Sequence, residues 1–334
     1  MKKKTILYIC LMLCLCLALL FWQYAADILY KQKNAARHDP AGKNKAVVAV
    51  QNTAENKSVR QAQALKEHKG QVDAEKLQAG IEKYLQEKAN GSYKIGFRDL
   101  SANQEFMIGS GSVPSASIIK IYIMIEVFNQ AKQGLLNLED KIALKQENMV
   151  GGTGSLNGQP VGSKISITEL LEVMITRSDN TAANTLIDLA GMDKINQTAR
   201  QLGCRDTRLQ RKMMDFASIK AGKDNLTSVS DLLLILDKLY KGKCVNHEFD
   251  EQMINIMKRQ QYNQMIPKLL PAGTVVAHKT GSLSGINNDI AIVFTKHGDY
   301  ILCILNQQTN NTKQAEDCIA AISKMIFNAY TAEK

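Results

Sequence analysis

The sequence is short of histidine, with five in 334 residues, and their positions exclude one large group of nucleophilic enzymes. His247 and His297 fall in polar turns. His278 lies on a strand one residue before Lys279 and by alternation points away from any cleft that the lysine enters. A Ser-His-Asp arrangement therefore has no support. Acidic residues are also scarce at the N-terminal end. Residues 1–72 hold twelve Lys or Arg and four Asp or Glu, a net of +8 out of a total of +10. The basic balance belongs to this segment, so it argues for attraction to anionic lipid or wall polymer and against a nucleic-acid enzyme. No small residue precedes Cys10, Cys14 or Cys16, which follow Ile9, Leu13 and Leu15, and this excludes a lipoprotein site.

What is present at that end is a run of seventeen apolar residues, Ile6 to Trp22, behind Lys2, Lys3 and Lys4. A charged n-region before a membrane-length apolar stretch directs export. A cleavage site needs small residues at −3 and −1, and Tyr24-Ala25-Ala26 puts a tyrosine at −3. Residues 1–30 thus read as an uncleaved anchor, with cleavage and secretion as the alternative. Residues 31–72 are rich in Lys, Ala, Asn and Gln, carry one proline (Pro40) and lack any sustained apolar period, as a flexible tether does. Residues 73–334 form the globular part. Its four cysteines admit three full pairings. Cys204 and Cys244 follow turn-like sequence and are the first pair to expect, whereas Cys303 on a strand and Cys318 on a helix suit buried thiols equally well.

Apolar periodicity gives the element order. A helix over Asp73–Lys88 precedes strands at Tyr93–Asp99 and Gln104–Ile108 around a Ser101-Ala102-Asn103 turn. Ser117–Lys132 is apolar on nearly every side, which marks a buried central helix. Ile167, Leu170, Leu171 and Met174 mark a helix ending near Arg177. A second follows Ser178-Asp179-Asn180 and ends at Gly191, and a third covers Asp193–Gly203. Helices at Val229–Lys241 and Glu248–Gln260 come next. Strands at Thr274–His278, Asp289–Thr295 and Tyr300–Asn306 and a terminal helix close the chain. The expected fold is α/β (α+β): a five-stranded antiparallel sheet, its edges drawn from both chain ends, flanked by helices and carrying an all-helical insertion. The site belongs where insertion meets sheet.

Three short motifs fall there: Ser117-Ile118-Ile119-Lys120, Ser178-Asp179-Asn180 and Lys279-Thr280-Gly281. If Ser117 opens the buried helix, Lys120 lies on the same face within reach of its oxygen. An amine half-buried among isoleucines has a depressed pKa, so neutral lysine can take the serine proton. The Ser117 N–H is an oxyanion donor candidate. Ser178, on the connection between two helices, can relay a proton to a leaving nitrogen. Asn180 can bond a substrate amide, and Asp179 is suited to holding the loop. Lys279 and Thr280 can bind a substrate carboxylate from a strand end. Gly281 lets a ligand lie close to the backbone, and the Ser282 N–H can complete an oxyanion hole. Singly each motif is common. In order, 61 and 101 residues apart, on the elements their roles need, they are specific.

S-x-x-K, S-D-N and K-T-G together are the known signature of class A β-lactamases and penicillin-binding proteins. Ser178-Asp179-Asn180-Thr181-Ala182-Ala183-Asn184, continued by Leu186 and Gly191, and Val276-Ala277-His278-Lys279-Thr280-Gly281-Ser282 closely resemble class A β-lactamases. The resemblance spans about residues 73–330. It implies the two-sub-domain fold, catalysis by Ser117, Lys120, Ser178 and Lys279 through an acyl-serine intermediate, and no metal or organic cofactor. The implied ligands are β-lactams; a D-Ala-D-Ala peptidoglycan peptide is the ligand of the runner-up reading, and a monomer is expected.

In that family a glutamate between the second and third motifs activates the hydrolytic water, and an asparagine follows four residues later. By register these positions are Met213 and Ala217, and methionine cannot accept a proton. Asp215 substitutes if the loop shifts by two residues; otherwise it pairs with Arg211 or Lys212. The expectation is a β-lactam hydrolase with slow deacylation. A D-Ala-D-Ala carboxypeptidase or transpeptidase, or a non-hydrolytic module that stays acylated, are the alternatives.

Overall fold

The computed structural model of the protein describes residues 72–102 and 104–332. The expected membrane anchor, the basic linker and Asn103 of the first turn lie outside the described residues. Helix α1 (Ala74–Lys88) starts on Asp73, whose carboxylate accepts from the Lys76 N–H at 3.0 Å. The hairpin β1 (Ser92–Asp99) and β2 (Glu105–Ile108) follows, then the short β3 (Val113–Pro114). Ala116–Ile119 form a 3-10 turn that leads into α2 (Lys120–Lys132). The α-helix therefore starts three residues later than its apolar run. Ala116, at φ +45°, opens the turn and keeps any helix from extending further back.

Strands β4 (Lys141–Ala143) and β5 (Lys164–Ser166) pair with each other before α3 (Ile167–Thr176), α4 (Asn180–Ala190) and α5 (Met192–Gln201). A one-turn helix, α6 (Phe216–Lys220), precedes β6 (Leu226–Thr227), which pairs with β3. Helices α7 (Val229–Tyr240) and α8 (His247–Met257) complete the insertion. Ser166, Asp179, Ser228 and Asn246 each accept a backbone N–H at the start of α3, α4, α7 and α8, satisfying donors that a helix end leaves bare. The chain closes with β7 (Val275–Leu283), β8 (Ile286–Thr295), β9 (Gly298–Gln307) and α9 (Thr312–Thr331).

The main sheet has the order β2-β1-β9-β8-β7 and is antiparallel throughout. Its edges come from the two ends of the chain, as expected, and β1 and β9 meet between them. Because helices cover both faces, alternate residues of one strand enter different cores. Ala277, Ile290, Ile292, Ile301 and Cys303 join the core shared with α2, α3, α4, α7 and α8. Val276, Ala291, Val293, Tyr300 and Leu302 join the smaller core under α1 and α9. β7 runs on to Leu283, beyond its expected end, since its ladder with β8 continues to the Leu283–Ile286 pair. The Lys279 motif thus lies within an edge strand and not at a strand end.

The expected Cys204–Cys244 bridge is a correction: all four described cysteines are free thiols. Both sulfurs face α7 but at different turns. The Cys204 thiol lies 3.9 Å from the Asp231 carbonyl oxygen, and the Cys244 thiol lies 3.5 Å from that of Ile235. Burial pushes the Cys204 thiol up to about 12, so it remains protonated and inert.

Candidate active site

The three motifs converge. Ser117 sits partly exposed in the 3-10 turn, and its Oγ makes no hydrogen bond among the described residues. Ser178 occupies the α3–α4 junction at φ +54°, a conformation that L residues seldom adopt and that clusters at functional sites. Asp179 fixes this junction. One of its oxygens accepts from the Ala182 N–H at 2.8 Å, the other from the Ser155 and Leu156 N–H groups at 2.7 and 2.9 Å. It thereby ties the junction to the Ser155–Leu156 segment.

Two fully buried lysines enclose Ser178. Lys120 Nζ donates to the Ser178 carbonyl at 2.6 Å, to Ser178 Oγ at 3.2 Å and to Asn180 Oδ1 at 2.8 Å. Lys279 Nζ donates to Ser178 Oγ at 3.0 Å and to the Thr280 carbonyl at 2.6 Å. Burial, and then the charge of Lys279, hold Lys120 well below the usual lysine range. Burial brings Lys279 down to about 7, against the opposing pull of Asp289. Two ammonium groups on one hydroxyl repel, so a neutral amine at neutral pH is the natural state of the pair.

β7 carries the rest. His278 is buried, with its ring nitrogens 3.1 Å from Asp289 Oδ1 and from Asn263 Oδ1, on the face of β7 opposite to Lys279 as expected. A Cβ on Gly281 would sit 3.0 Å from both the Ser115 carbonyl oxygen and the Ser117 nitrogen. The close approach that glycine permits is therefore to the turn holding Ser117, not to a ligand. Asn288 supports the same turn by donating to the Pro114 and Ser115 carbonyls at 3.1 and 3.3 Å.

A cavity of about 420 Å³ opens over these groups, lined by Ser117, Ser178, Asn180, Thr280 and Ser282. The rest of its lining is soft and largely apolar and includes Met213, Met214, Phe216, Met265 and Leu283. Met213 is buried, and Asn184 clamps its backbone, accepting from its N–H at 2.7 Å and donating to its carbonyl at 3.3 Å. Asp215 does not line the cavity. It caps α6, accepting from the Ser218 N–H at 3.0 Å and the Ser218 hydroxyl at 2.6 Å, and these bonds hold its carboxyl below the usual carboxylate range. Nor does it pair with either neighbouring cation: Arg211 bonds Asp224 and Lys212 bonds Asp188. Ala217 is exposed on α6. Asn184, Asn288 and the cavity-lining Glu316 were not expected from the sequence. Only Asn184 left a signal, one helical turn after Asn180 and hence on the same face.

Residues 75–330 match the model of the beta-lactamase enzyme family. A beta-lactamase of Pseudomonas aeruginosa, CARB-3, is 27% identical over 263 residues, covering 77% of this chain and 87% of that protein. Among solved structures, a beta-lactamase from Sphaerobacter thermophilus superposes with a TM-score of 0.71 at 26% identity, covering 78% of this chain and 98% of its own. PBP-A superposes at 0.72 and 26% identity, covering 76% and 96%, and a point variant of it has been solved as an acyl-enzyme complex with penicillin G. With most of its length matched and its three motifs gathered on one cavity, the chain belongs to the beta-lactamase enzyme family.

Proposed function

We propose that the protein is a serine β-lactam hydrolase that forms an acyl-Ser117 intermediate and releases it slowly. One observation carries the reading: Ser178 Oγ lies within 3.2 and 3.0 Å of the Nζ groups of two buried lysines, in the cavity that Ser117 lines. In the acylation step Ser117 Oγ attacks the lactam carbonyl while its proton passes to neutral Lys120. The carbonyl oxygen is stabilised by the N–H groups of Ser117 and Ser282. The C–N bond then breaks, and Ser178 hands a proton from the lysine pair to the leaving nitrogen. Thr280 and Ser282 hold the ligand carboxylate with Lys279, and Asn180 holds its amide.

Slow release follows from what faces the acyl group. Met213 cannot deprotonate water, and Asp215 is engaged in its own helix cap. General-base assistance is worth about 10²- to 10⁴-fold, and its loss falls on deacylation. The same apolar wall favours a second reading, a D-Ala-D-Ala carboxypeptidase or transpeptidase, which shares the motifs and needs no such carboxylate. A module that stays acylated as a sensor is the limit of the same series. The apolar run of residues 6–22 supports a location outside the cytoplasm on a membrane anchor.

Intact-mass analysis of the chain with excess benzylpenicillin, beside Ser117→Ala, tests the proposal. An adduct that decays as penicilloate accumulates is the expected result. A permanent adduct would favour the peptidase or sensor, and an adduct on Ser117→Ala would remove Ser117 from its role.

A further inference from the structure

One cavity group has no part in this chemistry. Glu316, in the second turn of α9, is the sole carboxylate among the described residues lining the cavity. Its side chain makes no hydrogen bond or ion pair among the described residues. The nearby ammonium groups are already engaged, since Lys268 and Lys313 each hold Asp317 at 2.6 Å. The cavity's one arginine, Arg211, is buried and neutralised by Asp224 at 2.8 Å. Glu316 thus has no hydrogen-bond or salt-bridge partner among the described residues, and Lys313, one turn before it, acts on it only at longer range.

Strand alternation fixes which end of the site it serves. Val276 packs in the α9-side core and Ala277 in the opposite one. Continued along β7 at every second residue, the face of Val276 and His278 becomes that of Thr280 and Ser282, whereas Lys279 and Gly281 present the other. The hydroxyls suited to a ligand carboxylate therefore share their side of the cavity with a carboxylate. A lone anion bound there meets a like charge, and a ligand that brings a cation beside its anion meets a partner.

We infer that Glu316 makes the Thr280–Ser282 end of the cavity a cation-accepting subsite, so that acyl donors with a positive charge on the leaving-group side of the scissile amide are preferred. The inference rests on Ser117 being the acylated residue. It narrows the substrate class from any β-lactam or wall peptide to those bearing a cationic group next to, or in place of, the carboxylate.

Cephalothin and cephaloridine test it, because they share the acyl side chain and ring carboxylate and differ by acetoxy against pyridinium at C3′. Second-order acylation constants would be measured on the full chain and on Glu316→Gln. The pyridinium-to-acetoxy ratio should fall about three- to tenfold in the variant, the scale of one partly screened charge contact, and further in Glu316→Arg. A ratio that Glu316→Gln leaves unchanged overturns the inference while acylation of both compounds upholds Ser117. Equilibrium binding of the same pair to Ser117→Ala, with and without Glu316→Gln, reads the subsite without acylation. If neither compound acylates the wild-type chain but binding still depends on Glu316 in this way, the Ser117 reading fails and the subsite stands.

Discussion

Lys120 and Lys279 reach the same atom: their Nζ groups lie 3.2 and 3.0 Å from Ser178 Oγ. One hydroxyl cannot accept comfortably from two full ammonium charges in a dry site, so the pair shares its protons. Ser178 is then both acceptor and donor, and a proton can cross from one lysine to the other through it.

Removing that hydroxyl should slow acylation whatever replaces it, but stability should depend on the replacement. Ser178 holds φ +54°, a strain that glycine lacks. Ser178→Gly and Ser178→Ala are both expected to acylate about 10²- to 10⁴-fold more slowly with benzylpenicillin. In thermal unfolding the glycine variant should be the more stable of the two by about 1 kcal/mol. Equal acylation by wild type and both variants would remove the relay.

The pH dependence has a definite sign. Lys279, held down by burial to about 7, is charged below that pH and neutral above it. Binding a carboxylate and supplying the relayed proton both need the charged form, so the acylation constant should decline as pH rises through about 7. Lys279→Arg, charged throughout, should lose this limb. Folding stability moves the other way: between about 7 and the ordinary lysine value of 10.5 the unfolded chain holds a proton that the folded chain lacks. Stability from this residue therefore rises with pH across that window. Denaturant titrations at several pH values check it.

Met213→Glu should speed the proposed slow release, because it puts a carboxylate on the wall of the cavity that Ser117 lines. Penicilloate production is expected to rise about 10²-fold or more, with some loss of melting temperature from burying a charge in a site that now holds a thioether. Asp215→Ala should lower the melting temperature slightly through the lost cap and leave release unchanged. A variant at position 215 that abolished release would restore Asp215 as the base.

Gly281→Ala tests the backing of the nucleophile. The added methyl group would stand 3.0 Å from the Ser117 nitrogen and from the Ser115 carbonyl, so the turn must shift. Misplacement by about 1 Å can cost about 10²-fold in rate. The loss should appear in the acylation constant more than in ligand affinity, as stopped-flow measurements with a chromogenic cephalosporin would show.

The order of elements and the meeting of the motifs were legible because each rests on local chemistry. Apolar patterning marked α2 and α3, and Ser178-Asp179-Asn180 marked where α4 starts. Three things were not legible. The turn that presents Ser117 opens on Ala116 at φ +45°, which alanine gives no hint of. The free state of Cys204 and Cys244 depends on which turns of α7 they face, a matter of packing and not of flanking glycines. Glu316 enters the site only because α9 packs across β8 and β9, and its own neighbourhood in sequence reads as an ordinary helix surface.

The seam between β1 and β9 pairs Ser92 with Gln307, so the sheet is stitched by residues more than two hundred positions apart. A chain that emerges N-terminus first must hold β1 without this partner until nearly all of the globular part has been delivered, a topology that folds slowly. Ser117 and Ser178 are synthesised early, whereas Lys279 arrives on β7 just before the seam can close. The site is therefore assembled in time by the last strands to appear, and a truncated chain that stops short of β9 has all three motifs and no enzyme.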